Sequence, residues 1–259
     1  MVMKKLILGL SCLLTSSIAN AGLIQSYFLT DGDSQVMVEI KGTSVVNEYS
    51  TYFLGYPIAV RDSIWLGHRN DTGATEYDLS GNATGNTSTG GNAFTQLLDG
   101  ASGVGVNYGI ECCGQVNSVT IANTDWSNQR VLFDMDFGGS GISYDPISDS
   151  LFISAFGSTI FNYDLSGNLL SSFSLAGSLA GLAYEGASDS FWAFDRLSAS
   201  MVQFDRVGNT LDSFVVGGLT NRNYWGGEIA FSSVDVPEPS TLTIMGLGML
   251  GLVIRRRKH

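Results

Sequence analysis

The sequence has little charge for its length and an excess of acidic over basic residues. Of its 259 residues 14% are charged, against about 25% in an average soluble domain. Its 13 basic and 24 acidic side chains give a net charge of −11, which excludes nucleic-acid binding through a basic surface. Disorder is also excluded, because 44% hydrophobic and 11% aromatic residues can form a packed core.

The first 21 residues have the three parts of a secretory signal peptide. Lys4-Lys5 is the basic region, an uncharged run from Leu6 to Ile18 follows, and Ala19-Asn20-Ala21 precedes Gly22. Signal peptidase requires a basic segment, a short apolar segment and small residues in this order. We therefore predict a signal helix over residues 1–21, cleavage between Ala21 and Gly22, and export of the chain.

The last segment, residues 236–259, combines three unlike features. Pro237-Glu238-Pro239 is followed by an apolar stretch from Thr241 to Ile254 and then by the basic cluster Arg255-Arg256-Arg257-Lys258. The stretch of 14 residues spans about 21 Å as a helix, which is short for a hydrocarbon core of ~30 Å. The basic cluster favours the cytoplasmic side of the membrane. We predict a short transmembrane helix here.

This segment resembles the PEP-CTERM sorting tail of exported proteins in Gram-negative bacteria. The resemblance implies that an exosortase recognises Pro237-Glu238-Pro239 and cuts near it. The tail would hold the protein in the inner membrane before processing, and the protein would then pass to the cell surface or the extracellular matrix. Extracellular polysaccharide is a candidate partner there. Tails of this kind occur on many folds, so the resemblance implies a destination and not an activity.

Removal of both ends leaves an exported domain over residues 22–235. It keeps seven basic and 23 acidic residues, a formal charge of −16. Such a surface repels nucleic acid and anionic lipid, and it attracts cations.

One pattern recurs in the exported domain with a period of about 40 residues. Asp149-Ser150-Leu151-Phe152 aligns with Asp189-Ser190-Phe191-Trp192 and with Asp62-Ser63-Ile64-Trp65, and each copy follows a short apolar strand. The 87 residues between Asp62 and Asp149 leave room for one decayed unit. We place its remnant at Asn117–Ile121 and Phe133-Asp134.

The second half of each unit predicts a tight hairpin. An acid, then a glycine three residues later and an asparagine directly after it, recur at Asp78, Asp164 and Asp205. The carboxylate can accept hydrogen bonds from amides two residues on, and the glycine accepts positive φ.

These units predict an all-β, β-propeller-like domain of about five blades. A unit of 40 to 45 residues with three or four strands has the size of a propeller blade. Leu151-Phe152 and Phe191-Trp192 put bulky groups on both faces of a strand, as a blade stacked between neighbours requires. The units loosely resemble NHL-like and SMP-30-like propeller repeats. A β-sandwich and an open repeat array are the competing architectures.

The ends of the domain and one internal segment complete the prediction. We expect the last strand to close the ring against the first blade, between the signal helix and the membrane helix. The segment from Gly81 to Gly109 is rich in Gly, Asn, Thr and Ser and is interpreted as a long polar loop or insertion.

Cys112-Cys113 is an adjacent pair in an oxidising compartment. Adjacent Cα atoms lie about 3.8 Å apart, below the usual range for a disulfide. A vicinal disulfide, a link between chains and two free thiols remain open, and we favour the vicinal bond as a rigid loop feature.

Few residues indicate catalysis. His68 is the single histidine of the exported domain, so a histidine-rich zinc site is excluded and a surface or packing role is expected. Asp31-Gly32-Asp33, Asp134-Met135-Asp136 and Asn70-Asp71 look like fragments of calcium loops, but none completes the EF-hand pattern. We expect no cofactor, with structural calcium as the alternative. Trp65 and Trp192 hold equivalent repeat positions, which favours packing between blades.

The expected function is therefore a non-enzymatic binding or structural module of the cell envelope or extracellular matrix. The alternative is a secreted, calcium-dependent propeller hydrolase or lactonase. Three or four acids and amides converging at one end of a central channel would favour the enzyme.

Overall fold

The computed structural model describes residues 24–53, 55–68, 73–89, 97–113, 117–219 and 223–231. In this part of the chain, 20 strands form five four-stranded antiparallel sheets. The same residues contain no α-helix and therefore no helix able to cross a membrane. The predicted signal helix and membrane helix lie outside the described residues. The all-β prediction is confirmed.

Each sheet is one blade, numbered in chain order. Blade 1 has β1 (Ile24–Asp31), β2 (Val36–Gly42), β3 (Ser44–Ser50) and the last strand of the domain, β20 (Gly226–Ile229). Blade 2 has β4 (Ile58–Val60), β5 (Ile64–Gly67), β6 (Gly73–Tyr77) and β7 (Ala83–Thr89). Blade 3 has β8 (Leu97–Ser102), β9 (Asn107–Glu111), β10 (Asn117–Ala122) and β11 (Arg130–Met135). Blade 4 has β12 (Gly139–Asp145), β13 (Ser150–Ala155), β14 (Thr159–Asp164) and β15 (Leu169–Ser174). Blade 5 has β16 (Leu179–Glu185), β17 (Ser190–Asp195), β18 (Ser200–Phe204) and β19 (Thr210–Val215).

The inner strands β4, β8, β12, β16 and β20 contact one another around a central axis. This arrangement is a five-bladed β-propeller, as predicted. The ring is closed by β20, which pairs with β1 in antiparallel register from Tyr27↔Ile229 to Thr30↔Gly226. The predicted closure by the last strand against the first blade is confirmed.

All inner strands run in one direction, because each follows the outermost strand of the preceding blade. We name the face where inner strands begin the upper face, and the face where they end the lower face. The β20 strand ends at the lower face, where the Phe231 N–H donates to the Val60 carbonyl at 2.8 Å. The upper face is formed by the connections between blades and by the hairpins between second and third strands.

The apolar core lies between the blades. Leu151, Phe152, Phe191 and Trp192 are all fully buried, so both faces of β13 and of β17 pack against neighbours. This confirms the interpretation of paired bulky residues as inter-blade packing.

The predicted hairpins also form. Asp164 Oδ1 accepts from the N–H groups of Ser166 and Asn168 at 2.9 and 2.8 Å, and Gly167 has a φ of 83°. The equivalent glycines Gly81 and Gly208 have φ of 78° and 88°. The Asn168 side-chain amide donates to Asp164 Oδ2 at 2.8 Å, so the asparagine completes the hydrogen bonding of the acid.

Blades 4 and 5 are further joined by one arginine. Arg206, in the turn after β18, donates from Nε and Nη2 to the buried Asp145 carboxylate at 2.6 and 2.8 Å. Its Nη1 lies 2.5 Å from Asp189 Oδ1. The hydrogen bonds from Arg206 and Ser148 outweigh burial and lower the pKa of Asp145.

Two predictions about blade 3 and its surroundings are wrong. The segment Gly81–Gly109 is not a loop, since it contains β7, β8 and the start of β9. Asn117–Ile121 is not a second strand like the one after Asp149, because it belongs to β10, the third strand of its blade.

The physical reason is crowding at the axis. Gly100 in β8 has Ile58 O and the Trp126 ring so close that a Cβ would lie 2.8 Å and 2.6 Å from them. A strand in that position needs small residues, so its sequence is similar to that of a polar loop although every residue of β8 is buried.

Candidate functional site: the channel and the upper face

Asp99 lies at the centre of the ring. Its Oδ1 accepts N–H groups of Gly100 and Gly227 at 2.8 and 2.9 Å, and its Oδ2 accepts those of Ile142 and Leu182 at 2.9 and 3.0 Å. The donors belong to four of the five inner strands. One carboxylate therefore links blades 3, 4, 5 and 1 at the axis.

The protonation of Asp99 follows from this geometry. Complete burial raises the pKa of Asp99, and the four amide donors act against that rise. Two hydrogen bonds from backbone N–H groups occupy both lone pairs of each oxygen, so a proton on either oxygen would displace one of these hydrogen bonds. The arrangement fits an ionised carboxylate whose task is structural.

A second buried acid, Glu228, lies towards the lower face. Its Oε2 accepts from the Ser102 N–H at 2.9 Å and its Oε1 from the Ile229 N–H at 3.0 Å. Burial raises the pKa of Glu228, the charge of Asp99 adds to the rise, and Arg61 acts in the opposite direction.

Arg61 belongs to the turn after β4 and holds the next blade. It donates to Asn107 Oδ1 at 2.7 Å and to the carbonyls of Gly103 and Val106 at 2.9 and 2.6 Å. Its charge therefore lies beside Glu228 while its hydrogen bonds fix the hairpin between β8 and β9. The titratable side chains of the channel are used to hold the ring together.

The upper face carries a different cluster. The Arg196 guanidinium lies over the Trp225 ring, 3.3 Å from its centroid, and Phe156 meets Trp225 edge-on with ring centroids 5.4 Å apart. Arg196 follows β17, Trp225 precedes β20 and Phe156 follows β13, so blades 4 and 5 and the closing strand all contribute. We name Arg196, Trp225, Phe156 and Asn223 the upper-face cluster.

Hydrogen bonds orient this cluster. Arg196 Nη2 donates to Asn223 Oδ1 at 2.5 Å, and Asn223 Nδ2 donates to Asp33 Oδ2 at 2.9 Å. The Trp225 N–H donates to the Thr30 carbonyl at 3.1 Å. No carboxylate of a described residue forms an ion pair with Arg196. Burial lowers the pKa of Arg196.

Cys112 and Cys113 also lie on the upper face, in the hairpin after β9. Their sulfurs are joined as a disulfide between adjacent residues. Cys112 is buried, Cys113 is exposed, and Cys113 has a φ of 69°. Cys112 packs in the same apolar cluster as Phe137 and Trp225.

Other residues singled out in the sequence have packing roles or fall outside the description. His68 stacks on Phe53 with ring centroids 4.1 Å apart, and its Nε2 lies 3.0 Å from Thr75 Oγ1. Trp192 is fully buried between blades, and Trp65 is partly buried. Asn70-Asp71 lies outside the described residues.

The sequence predicts calcium either as a structural ion or, in the alternative function, as the ion of a hydrolase or lactonase. Within the described stretches, no three His, Cys, Asp or Glu side chains come together in a group that could hold an ion. Calcium binding remains an alternative to be tested in solution.

The residues at the chain ends lie outside the described part of the structure. These are Ala19, Ala21 and Gly22 of the predicted cleavage site, Pro237, Glu238 and Pro239 of the motif, and Arg255, Arg256, Arg257 and Lys258 of the basic cluster.

Comparisons with known proteins support the same architecture. In the crystal structure of a nidogen–laminin complex, one chain is 11% identical to this protein, with a TM-score of 0.56. The match covers 82% of this chain and 99% of that one. At this identity the likeness shows the fold alone.

Two further solved structures match with lower scores. Streptogramin B lyase has 12% identity and a TM-score of 0.48, covering 76% of this chain and 66% of its own. A protein of unknown function from Bacteroides caccae has 14% identity and a TM-score of 0.47, covering 73% of each chain. No curated protein sequence matches this chain.

The fold thus defines a five-bladed β-propeller. Residues 235–258 match the PEP-CTERM protein-sorting motif. The chain is therefore a propeller with an exosortase recognition signal, and this signal marks an exported protein sorted to the cell surface.

Proposed function

We propose that the protein is a non-enzymatic binding module, delivered by exosortase sorting to the cell surface or the extracellular matrix. The observation that carries the proposal is the commitment of the central carboxylate. Asp99 uses all its lone pairs on four backbone N–H groups, so it has no free oxygen for a metal or a substrate. The central carboxylate is thus engaged in structural hydrogen bonds, which supports a binding module over a channel enzyme.

The route of export follows the two ends of the chain. Signal peptidase cuts after Ala21, the apolar stretch over residues 241–254 holds the chain in the inner membrane, and the basic cluster stays on the cytoplasmic side. Exosortase then removes the tail near Pro237-Glu238-Pro239.

The upper face is the binding face in this proposal. The chain leaves the ring at the lower face, and only residues 232–234 separate Phe231 from the start of the sorting motif. The apolar stretch that holds the chain in the membrane begins at Thr241, ten residue steps from Phe231, and ten steps reach at most roughly 36 Å. While the tail is attached, the point where the chain leaves the lower face stays within that distance of the membrane, which favours the upper face as the face that points away from it.

The test uses the protein purified from the surface fraction of its own cells. We expect it to sediment with the polysaccharide of that fraction and to hydrolyse no ester, lactone or glycoside above the uncatalysed rate. Turnover that a chelator abolishes would favour the calcium-dependent hydrolase or lactonase instead. A calcium-dependent rise in Tm without turnover would show a bound structural ion.

A further inference from the structure

The cations of this acidic domain have different partners. Arg206 is neutralised by two carboxylates, Asp145 and Asp189. Lys41 forms an ion pair with Glu39, in which Nζ lies 2.7 Å from Oε1. Arg61 lies near the buried Glu228, and its charge acts against the rise in the pKa of Glu228 that burial causes. Arg196 differs from these three, since among the described residues its partners are a neutral amide and an aromatic ring.

The position of Arg196 is fixed by its backbone. Its N–H donates to the Ser178 carbonyl at 3.0 Å. The preceding Asp195 accepts from the N–H groups of Ser178 and Leu197 at 2.8 and 3.1 Å and from Ser198 Oγ at 2.5 Å. A rigid turn therefore presents the guanidinium to Trp225 and Asn223. A preorganised, partly desolvated cation without an ion-pair partner gains most from binding an external anion.

From this geometry we infer that the upper-face cluster binds the carboxylate of an acidic sugar, such as a uronic-acid residue of an extracellular polysaccharide. The planar guanidinium has five N–H donors, one of which is used by Asn223, so four remain and two of them can bind a bidentate carboxylate. Phe156 is 48% exposed beside Trp225 and offers an apolar surface to the C–H face of a sugar ring.

The charge of the remainder of the domain gives the site its selectivity. A net charge of −16 over the exported segment repels polyanions in general. An acidic glycan is then held only where a cation and an apolar platform coincide. This inference rests on the proposed binding function and assigns to it a ligand class and a residue.

The experiment measures binding of three probes to the full exported protein by titration calorimetry. Oligogalacturonate carries carboxylates on sugar rings, dextran oligomers carry the rings alone, and poly-glutamate carries carboxylates alone. We expect oligogalacturonate to bind and the other two probes to bind at least tenfold more weakly.

Variants then locate the site. Arg196→Gln should weaken oligogalacturonate binding by tenfold or more, and Arg196→Lys should recover only part of it because an ammonium is not bidentate. Phe156→Ala should weaken binding severalfold while leaving the charge unchanged. Arg130→Gln, which removes an exposed cation from β11, is the matched control and should bind like the parent.

Three results would overturn the inference. These are an absence of oligogalacturonate binding by the parent, equal affinities of Arg196→Gln and Arg130→Gln, and equal binding of poly-glutamate. Circular dichroism melting of each variant separates lost binding from lost folding, and Phe156→Ala tests the site if Arg196→Gln unfolds. Co-sedimentation with native polysaccharide in the presence of any of these results would leave the binding function intact and remove only its assignment to Arg196.

Discussion

Gly167, in the outer hairpin of blade 4, lies directly against Phe133 in the outermost strand of blade 3. A Cβ on Gly167 would stand 2.9 Å from the Phe133 side chain. Gly81 meets Tyr49 and Gly208 meets Phe173 in the same way. The repeated glycine therefore closes a turn and also allows its blade to pack closely against the outermost strand of the preceding blade.

Gly167→Val is expected to lower the free energy of unfolding by about 3 kcal/mol. Positive φ costs a β-branched residue roughly 1–2 kcal/mol, and the displacement of Phe133 adds to it. Gly85→Val is the matched control, because Gly85 has a φ of 90° but no atom within 4 Å of its Cβ position. Urea denaturation that gives both variants the same loss would show that the inter-blade contact contributes nothing.

Asp99→Asn is expected to destabilise the ring by about 3–5 kcal/mol. The side-chain NH2 group of the new asparagine would face two of the four backbone N–H groups from which Asp99 now accepts hydrogen bonds. Asp134→Asn, which changes an exposed acid on β11 of the same blade, should have an effect within about 0.5 kcal/mol. If Asp99→Asn melts like the parent, the carboxylate does not hold the inner strands together.

Glu39 should make the fold sensitive to acid. Burial acts to raise the pKa of Glu39, but hydrogen bonds from four side chains outweigh it and lower the pKa from 4.5 to about 2. Those donors are Lys41, Ser26, Asn47 and Tyr49. A lowered pKa gives stability that is complete above pH 4.5 and is lost as the pH falls towards 2, about 3 kcal/mol in total.

The measurement is the free energy of unfolding of the parent and of Glu39→Gln between pH 6 and pH 2. The difference between them should be largest at pH 6 and should shrink as the pH falls. Asp134→Asn, at an exposed position on β11, is the control. A difference that stays constant with pH would contradict the assignment.

Glu238→Ala should leave export intact and leave the unprocessed chain in the inner membrane. The motif match over residues 235–258 and its resemblance to exosortase substrates motivate this expectation. Cell fractionation and immunoblotting of the tail provide the measurement, with Ser240→Ala as a control. Normal processing and surface delivery of Glu238→Ala would show that exosortase does not recognise the motif through Glu238.

The hairpins could be predicted from the sequence because their chemistry is local. Asp164 bonds to amides two and four residues on, and Gly167 lies between them. The blade count followed from the repeat of such units. The ring closure followed in turn, since a propeller has no free inner position for its last strand.

Asp99 could not be predicted because its partners are remote in the sequence. Ile142, Leu182 and Gly227 lie 43, 83 and 128 residues from it. One signal was available in principle: Asp99 pairs with Ile110 in β9 as Ile142 pairs with Ile153 in the next blade. An acid in a position that another inner strand fills with isoleucine indicates that its side chain forms hydrogen bonds at the axis.

The upper-face cluster was missed for the same reason. Arg196 and Trp225 are 29 residues apart in the sequence and meet only because β20 returns to blade 1. Arg196 holds the position in its unit that Phe156 holds in the preceding unit, seven residues after the aligned acid, but Trp225 lies outside these units, so a comparison of units could not have linked it to Arg196.

The placement of β20 also sets an order of events during synthesis and translocation. The innermost strand of blade 1 is the last strand of the domain to leave the ribosome and to cross the membrane. Until Gly226–Ile229 arrives, blade 1 has three strands and Asp99 lacks its Gly227 donor. The sorting motif begins at residue 235, a few positions later. A nascent chain therefore completes its ring only shortly before the sorting motif reaches the membrane. A chain truncated before Gly226 has an open ring and also lacks the sorting motif.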